Sequence, residues 1–184
     1  VGSLAACAPA PEWNKDDLEA VAALEADPWL APSSLLAPGR AGESDHVGQY
    51  HRPGVVSYRE LTGDPDDVGI DQVYRDTVAR ELEQLASAAW TPTFVRCSAE
   101  EVTVDVVKVV GEDLATGRVS ITFEARGAAR RTAVLPDRRD GADQLTPATT
   151  FEPVDLSICA ERVESPLWSG TPTQRNILGT PTAD

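Results

Sequence analysis

A chain of 184 residues, 41% of them hydrophobic, is long enough for one domain with its own core plus tails. The formal net charge of −14 would repel the phosphate backbone of a nucleic acid, so we expect no nucleic-acid binding. No apolar run approaches the roughly 18 to 20 residues that a membrane-spanning helix needs. Only two of the sixteen basic residues are lysines, and Ala, Val, Asp and Arg are abundant, which is typical of a high-GC bacterial genome.

The first residues combine small and apolar side chains with a cysteine. Leu4-Ala5-Ala6-Cys7 resembles the lipobox of bacterial lipoproteins, in which an apolar residue and two small ones precede a cysteine. In that family the cysteine thiol is joined to a diacylglycerol, and the signal peptide is cut just before it. The resemblance covers four residues. It implies that Cys7 is the lipidation site and that the chain is held on the outer face of the cytoplasmic membrane of a high-GC Gram-positive bacterium.

Residues 8–13 predict a short, stiff tether, so that residues 1–13 comprise signal remnant, lipidation site and spacer. Alternating prolines favour an extended path of about 3.1 Å per residue, which starts the folded body within roughly 20 Å of the lipid. Two acyl chains would anchor it stably, since each buried methylene contributes about 0.8 kcal/mol. The diacylglycerol is the only attached group that we expect, and we predict no cofactor.

The cysteine count agrees with export. Three cysteines are an odd number, and lipid on Cys7 leaves Cys97 and Cys159 as a pair. Disulfides persist only in oxidising compartments, so this pair and the lipobox predict the same location. The bridge would close a loop of about 60 residues and add roughly 3 to 4 kcal/mol of stability. The alternative is two buried, reduced thiols.

Residues 14–63 predict one short helix followed by an irregular segment. Asn14 is a plausible N-cap, and an apolar stripe continues to about residue 26, where Asp27-Pro28 ends the helix. Residues 28 to 63 are rich in Pro, Gly and Ser with no sustained period, and we expect their large apolar side chains to dock on the body. Within them, the strand-like GVVSYREL is expected to pair with the main sheet.

Residues 64–163 predict the core. A helix stripe of period 3.6 runs from residue 70 to 85, and strands are predicted at 91–97, 101–110, 118–126 and 130–135. Gly111 to Gly117 would form a hairpin loop, and residues 151–163 a final strand. The fold class is α+β, with a long helix on an antiparallel sheet of about four to five strands. Cystatin-like and nuclear-transport-factor-like folds share this element order, and residues 164–184 would be an irregular tail.

Motifs for catalysis and metal binding are weak. His46 and His51 lie five residues apart in the irregular segment, which is not a helical metal spacing. Asp64, Asp66 and Asp67 resemble the start of a calcium loop, but Arg75 stands where the bidentate glutamate belongs, so we interpret the cluster as a helix N-terminus. We found no serine-hydrolase elbow, P-loop or dinucleotide fingerprint. We therefore predict no catalytic residue, no metal and no nucleotide.

Five side chains are candidates for interaction. Arg126, Arg130 and Arg131 form a basic spot on an acidic chain, which would touch lipid headgroups or an acidic partner, or be a solvated strand edge. Trp29 and Trp168 would be interface anchors if exposed and would pin loops to the core if buried.

Three hypotheses of function follow. The first is a non-catalytic accessory or binding subunit of an envelope protein assembly. The second is a carrier of a small ligand or lipid, with an apolar pocket between helix and sheet. The third is an envelope hydrolase that uses His46 or His51.

Overall fold

The computed structural model describes residues 15–30, 54–61, 63–123, 128–136 and 145–173. They form an α+β arrangement of one antiparallel sheet with a few helices, as the sequence predicts. In chain order the elements are α1 Lys15–Glu25, β1 Gly54–Glu60, α2 Pro65–Val68, α3 Ile70–Ser87, β2 Thr91–Cys97, β3 Glu101–Val110, β4 Asp113–Thr122, β5 Ala128–Val134, a 3-10 turn Leu156–Cys159 and β6 Leu167–Gly170.

The sheet has six strands in the order β1-β5-β4-β3-β2-β6, more than the four or five expected. Strands β2 to β5 are a meander, and β1, from the GVVSYREL stretch, pairs with β5 as expected of a strand that joins the main sheet. At the opposite edge β6 pairs with β2. The sheet thus extends at both edges beyond residues 64–163.

Three expectations about local structure are wrong. Gly111 and Glu112 form a tight turn, with Gly111 at a φ of 62°, so β4 already begins at Asp113 and no long hairpin loop precedes it. Residues 151–163 contain a 3-10 turn and no strand, because Asp155 caps the turn by accepting the Ser157 N–H at 3.0 Å. The expected irregular tail supplies β6 instead.

The acidic cluster before α3 is a helix start, as predicted. The Asp64 carboxylate accepts the Asp66 N–H at 2.9 Å and caps the short helix α2. Gly69, at a φ of 86°, then allows the chain to turn into α3. The carboxylates therefore satisfy orphan backbone donors at a helix N-terminus.

The two faces of the sheet differ in what covers them. Alternate residues such as Val102, Val104 and Val106 point toward α3 and are buried, which defines the inner face. The residues between them define the outer face, turned away from α3. Much of the outer face is polar or partly exposed, as in an antiparallel sheet with one covered face. Asp105 and Val107 on that face are nevertheless buried, and the Thr173 N–H donates to the Asp105 carboxylate there at 3.1 Å.

Helix α1 is joined to the sheet through Asp27, two residues after the helix ends at Glu25. Asp27 is buried and accepts hydrogen bonds from the Trp90 indole at 3.1 Å and from the Trp29 N–H at 2.9 Å. Its other carboxylate oxygen pairs with Lys108 on β3. Because these three donors satisfy the carboxylate, the turn after α1 is fixed against the inner face. Among the described residues, no helix is long and apolar enough to cross a bilayer.

Candidate interaction face

One row of side chains crosses the whole outer face. The strand registers place one residue of each strand in line, perpendicular to the strands. Adjacent strands lie about 4.8 Å apart, so six positions span about 24 Å. We call this set the outer row; from edge to edge it comprises Tyr58, Arg130, Ser120, Thr103, Arg96 and Trp168.

The outer row has large side chains at its two ends and small ones in its middle. Tyr58 is 43% exposed and Trp168 is 70% exposed, and each lies on an edge strand beside an arginine. The Arg130 guanidinium lies 6.0 Å from the centre of the Tyr58 ring, within cation–π range. Ser120 and Thr103 form the floor between the two arginine and aromatic pairs, whose arginine Cα atoms are about 14 Å apart across three strand spacings.

The outer row contains two guanidinium groups and no carboxylate, in a chain with 30 acidic residues. In the next row, Asp105 is fully buried and paired with Arg118 at 2.6 Å, so its charge is compensated. On the other side, Glu101 accepts a hydrogen bond from the Thr103 hydroxyl at 3.2 Å. The outer row itself therefore carries two positive charges, with the Glu101 carboxylate directly beside its centre.

Arg131 is not an interaction residue, because it is only 1% exposed. Consecutive residues of a strand point to opposite faces, so Arg130 reaches the outer face and Arg131 the inner one. There Arg131 forms a two-pronged ion pair with Glu81 on α3, with Nε to Oε2 at 2.8 Å. It also donates to the Trp29 backbone carbonyl. The expectation of three arginines in one basic spot is wrong for this residue.

The same inner cluster includes a second arginine. Gln84 Oε1 accepts from Arg131 at 2.7 Å and from Arg59 on β1. Burial lowers the pKa of Arg59, and the positive charge of Arg131 lowers it further, while Glu81 opposes this effect. These contacts join α3 to β1 and β5.

Trp29 is not an exposed anchor either, because it is fully buried. Its ring packs against Trp90 with 4.9 Å between the ring centres. A Cβ atom at Gly117 would lie only 3.1 Å from the Trp29 ring, so this glycine makes room for the indole on the inner face. Trp29 therefore pins the chain after α1 to the core, which is the buried alternative of the two considered.

The structure brings two of the five candidates together. Trp168 and Arg130 both lie in the outer row, four strand spacings apart. Arg126 lies outside the described residues, as do Cys7, His46 and His51.

Cys97 and Cys159 lie at disulfide-bonding distance, with their Cα atoms 5.5 Å apart. Cys97 ends β2 and Cys159 ends the 3-10 turn, and both are buried. The pair ties the segment before β6 to the sheet, so the chain enters β6 at a fixed point. This segment carries Trp168 to the edge of the outer row.

Tyr58 and Arg96 belong to the outer row but were not candidates from the sequence. Assigning Arg96 to the outer row requires knowing that Trp168 is its cross-strand partner. The tail that contains Trp168 was expected to be irregular, so this pairing was not predicted. Tyr58 depends on the pairing of β1 with β5, two segments about 70 residues apart. One signal was available: Tyr58 alternates with Ser57 and Arg59 in a strand-like stretch.

Comparison with protein-family models, curated proteins and solved structures finds no match to this chain. Within the described ranges, no group of three or more His, Cys, Asp or Glu side chains is arranged to hold a metal ion.

Proposed function

We propose that this chain is an extracytoplasmic lipoprotein, anchored through a diacylglyceryl group on Cys7, whose α+β body is a non-catalytic binding or accessory subunit in the cell envelope. The observation that carries the proposal is the cysteine pattern. Cys97 and Cys159 lie at bonding distance in the folded body, and Cys7 is the one cysteine left over, in a lipobox-like sequence. A disulfide favours an oxidising compartment, and the leftover cysteine favours modification.

The outer row supports binding as the activity of the body. Exposed tryptophan, tyrosine and arginine are the residue types enriched where proteins make contacts, since each combines apolar area with a polar group. Trp168 is 70% exposed although it lies in a regular strand, so its ring is held out on a defined scaffold.

Fractionation of the native cell tests the anchor. We expect the wild-type chain to sediment with membranes, to resist a high-salt wash and to be released by detergent. The Cys7→Ser variant removes the thiol that would carry the lipid, so salt-washed membranes should lose it. A Cys97→Ser/Cys159→Ser variant, which changes cysteines without touching the anchor, should remain with the membrane. Wild-type protein released by salt alone would contradict the proposal.

A further inference from the structure

We propose that the edge of β6 pairs with β6 of a second copy of this chain, antiparallel and centred on Trp168, so that two six-stranded sheets join into one. The inference goes beyond the proposed function and does not require the anchor on Cys7. The contact uses the edge of the sheet and leaves the face of the outer row open. An envelope partner can therefore still bind that face.

Strand β6 has a free edge in the described part of the chain, where β2 is the strand that pairs with it. The Thr173 N–H donates to Asp105 on β3 at 3.1 Å, so the chain that follows β6 crosses the outer face and leads away from this edge. The Asp155 N–H donates to the Ser169 hydroxyl at 2.9 Å, so the preceding segment packs on the inner face. The two flanking segments thus hold β6 from both faces.

The backbone of Trp168 offers hydrogen bonds at this edge. The Thr171 N–H donates to the Thr93 carbonyl at 2.7 Å, and in an antiparallel pair every second residue bonds to the neighbouring strand. Leu167 and Ser169 therefore direct their N–H and C=O toward β2, and Trp168 directs both of its groups away from it. One donor and one acceptor on the same residue are self-complementary about a two-fold axis, so two copies of Trp168 can exchange two hydrogen bonds.

Pairing centred on Trp168 also matches the faces of the two sheets. Residues directly opposite each other in an antiparallel pair point to the same face, so both Trp168 rings would lie on the outer face as a cross-strand aromatic pair. Such a pair would cover a ring that is 70% exposed in the single chain. The two outer rows would then form one continuous row of twelve positions, about 53 Å long.

The two edges of the sheet differ in how they are protected. Natural proteins keep edge strands single with charged side chains, including ones that point inward. At one edge, β1 contains Arg59, whose guanidinium turns inward to Gln84. At the other edge, β6 contains no charged residue and exposes Leu167 and Trp168, in a chain of which 25% of the residues are charged. The β6 edge is therefore the one suited to pairing.

Net charge determines how the pairing depends on salt. Each copy carries a formal charge of −14, so two copies repel each other. A contact through one four-residue strand is small, and we expect a weak dimer that depends on protein concentration. Salt screens the repulsion and should strengthen the dimer, whereas it would weaken a complex held together by opposite charges. Copies on one membrane would meet at a higher effective concentration.

Cysteine cross-linking tests the pairing directly. Trp168→Cys in the Cys7→Ser chain would place two thiols opposite each other, with Cα atoms about 5.5 Å apart, a distance that a disulfide bridges. We expect a disulfide-linked dimer when the purified chain is oxidised with diamide, detected as a doubled mass without reductant.

Tyr58→Cys in the same background is the matched control, since Tyr58 is an exposed aromatic residue of the same outer row on the opposite edge strand. It should remain monomeric, because pairing through β6 keeps the two copies of residue 58 about 53 Å apart. Equal cross-linking at positions 58 and 168 would overturn the pairing. No cross-linking at position 168 would also overturn it and would leave the edge to another protein's strand or to this chain's own residues.

Sedimentation equilibrium of the Cys7→Ser chain tests the contribution of the indole. We expect the dimer fraction to rise with protein concentration and with salt, and Trp168→Ala to weaken dimerisation about fivefold. A chain that is monomeric under all these conditions, or a dimer that salt dissociates, would contradict the pairing. Each of these results leaves the anchor untouched, because fractionation of the Cys7→Ser variant tests the anchor separately.

Discussion

Neighbouring residues of identical type have opposite roles in this protein. Arg130 lies on the outer face against the Tyr58 ring, and Arg131 lies on the inner face in an ion pair with Glu81. Glu81 stands seven residues after Tyr74 on the buried stripe of α3, so a single carboxylate replaces an apolar side chain there. A buried arginine opposite a buried glutamate is compensated, whereas either one alone would be costly.

The two candidate tryptophans give a direct test of burial. Trp29→Ala removes a fully buried indole that packs on Trp90, and we expect the free energy of unfolding to fall by about 3 to 5 kcal/mol. Trp168→Ala removes an indole that is 70% exposed and should change it by about 0.5 kcal/mol or less. Urea titration of both variants measures the difference. Equal losses would mean that the Trp29 ring is not packed as described.

Tyr74 predicts a dependence on alkaline pH. Burial raises the pKa of Tyr74, while the charge of Arg162 acts weakly in the other direction. Since the folded pKa is above the unfolded value of about 10, the neutral hydroxyl favours the fold below that pH, and this stability is lost as pH rises through the folded pKa. We expect Tyr74→Phe to abolish this component of the alkaline loss of unfolding free energy.

At neutral pH the same substitution should leave the unfolding free energy unchanged or slightly raise it. The Tyr74 hydroxyl is buried, and no hydrogen-bond partner for it exists within the described ranges. Urea titrations at neutral pH and at about pH 11 give both values. A Tyr74→Phe variant that loses as much stability with rising pH as the wild type would contradict this account.

At the scale of elements, periodicity and caps predicted the parts that depend on local sequence. Helix α1 ends near Asp27-Pro28, α3 follows its apolar stripe, and β2 and β3 match their predicted bounds. Strand β6 was missed because Leu167–Gly170 is a four-residue edge strand with no alternation long enough to detect. Its place is set by register with β2, which is a property of the fold.

The cysteine pair was predicted by elimination, although the element that carries Cys159 was predicted wrongly. Cys159 reaches Cys97 from the end of a 3-10 turn, whereas we had expected it to do so from a strand. The pairing therefore did not depend on the secondary structure. Predicting the outer row from the sequence would have required the register of every strand pair in the sheet. Arg130 and Trp168 were therefore predicted as separate candidates, and Tyr58 and Arg96 were missed.

The bond between Cys97 and Cys159 should stabilise the body measurably. The sequence separation is 62 residues, for which the chain-entropy model gives about 4 kcal/mol. We expect the Cys97→Ala/Cys159→Ala variant to lose about this amount of unfolding free energy in urea. Reducing agent should lower the stability of the wild type by a similar amount and leave the variant unaffected. A wild type insensitive to the reductant would show that the bond is absent.

At the scale of the whole molecule, charge and anchoring act together. A net charge of −14 repels the chain from anionic surfaces in most orientations. A lipid on Cys7 would hold the body near the membrane regardless of that charge.

The intact mass of the native protein distinguishes an exported, lipidated chain from an intracellular one. The chain would be extracted from its own membranes with detergent, without reducing agent, and its cysteine peptides mapped. We expect a chain that begins at Cys7 and carries a diacylglyceryl group, with Cys97 and Cys159 joined. A chain that retains residues 1–6, carries no lipid and has three free thiols would contradict export and lipidation and indicate an intracellular acidic protein.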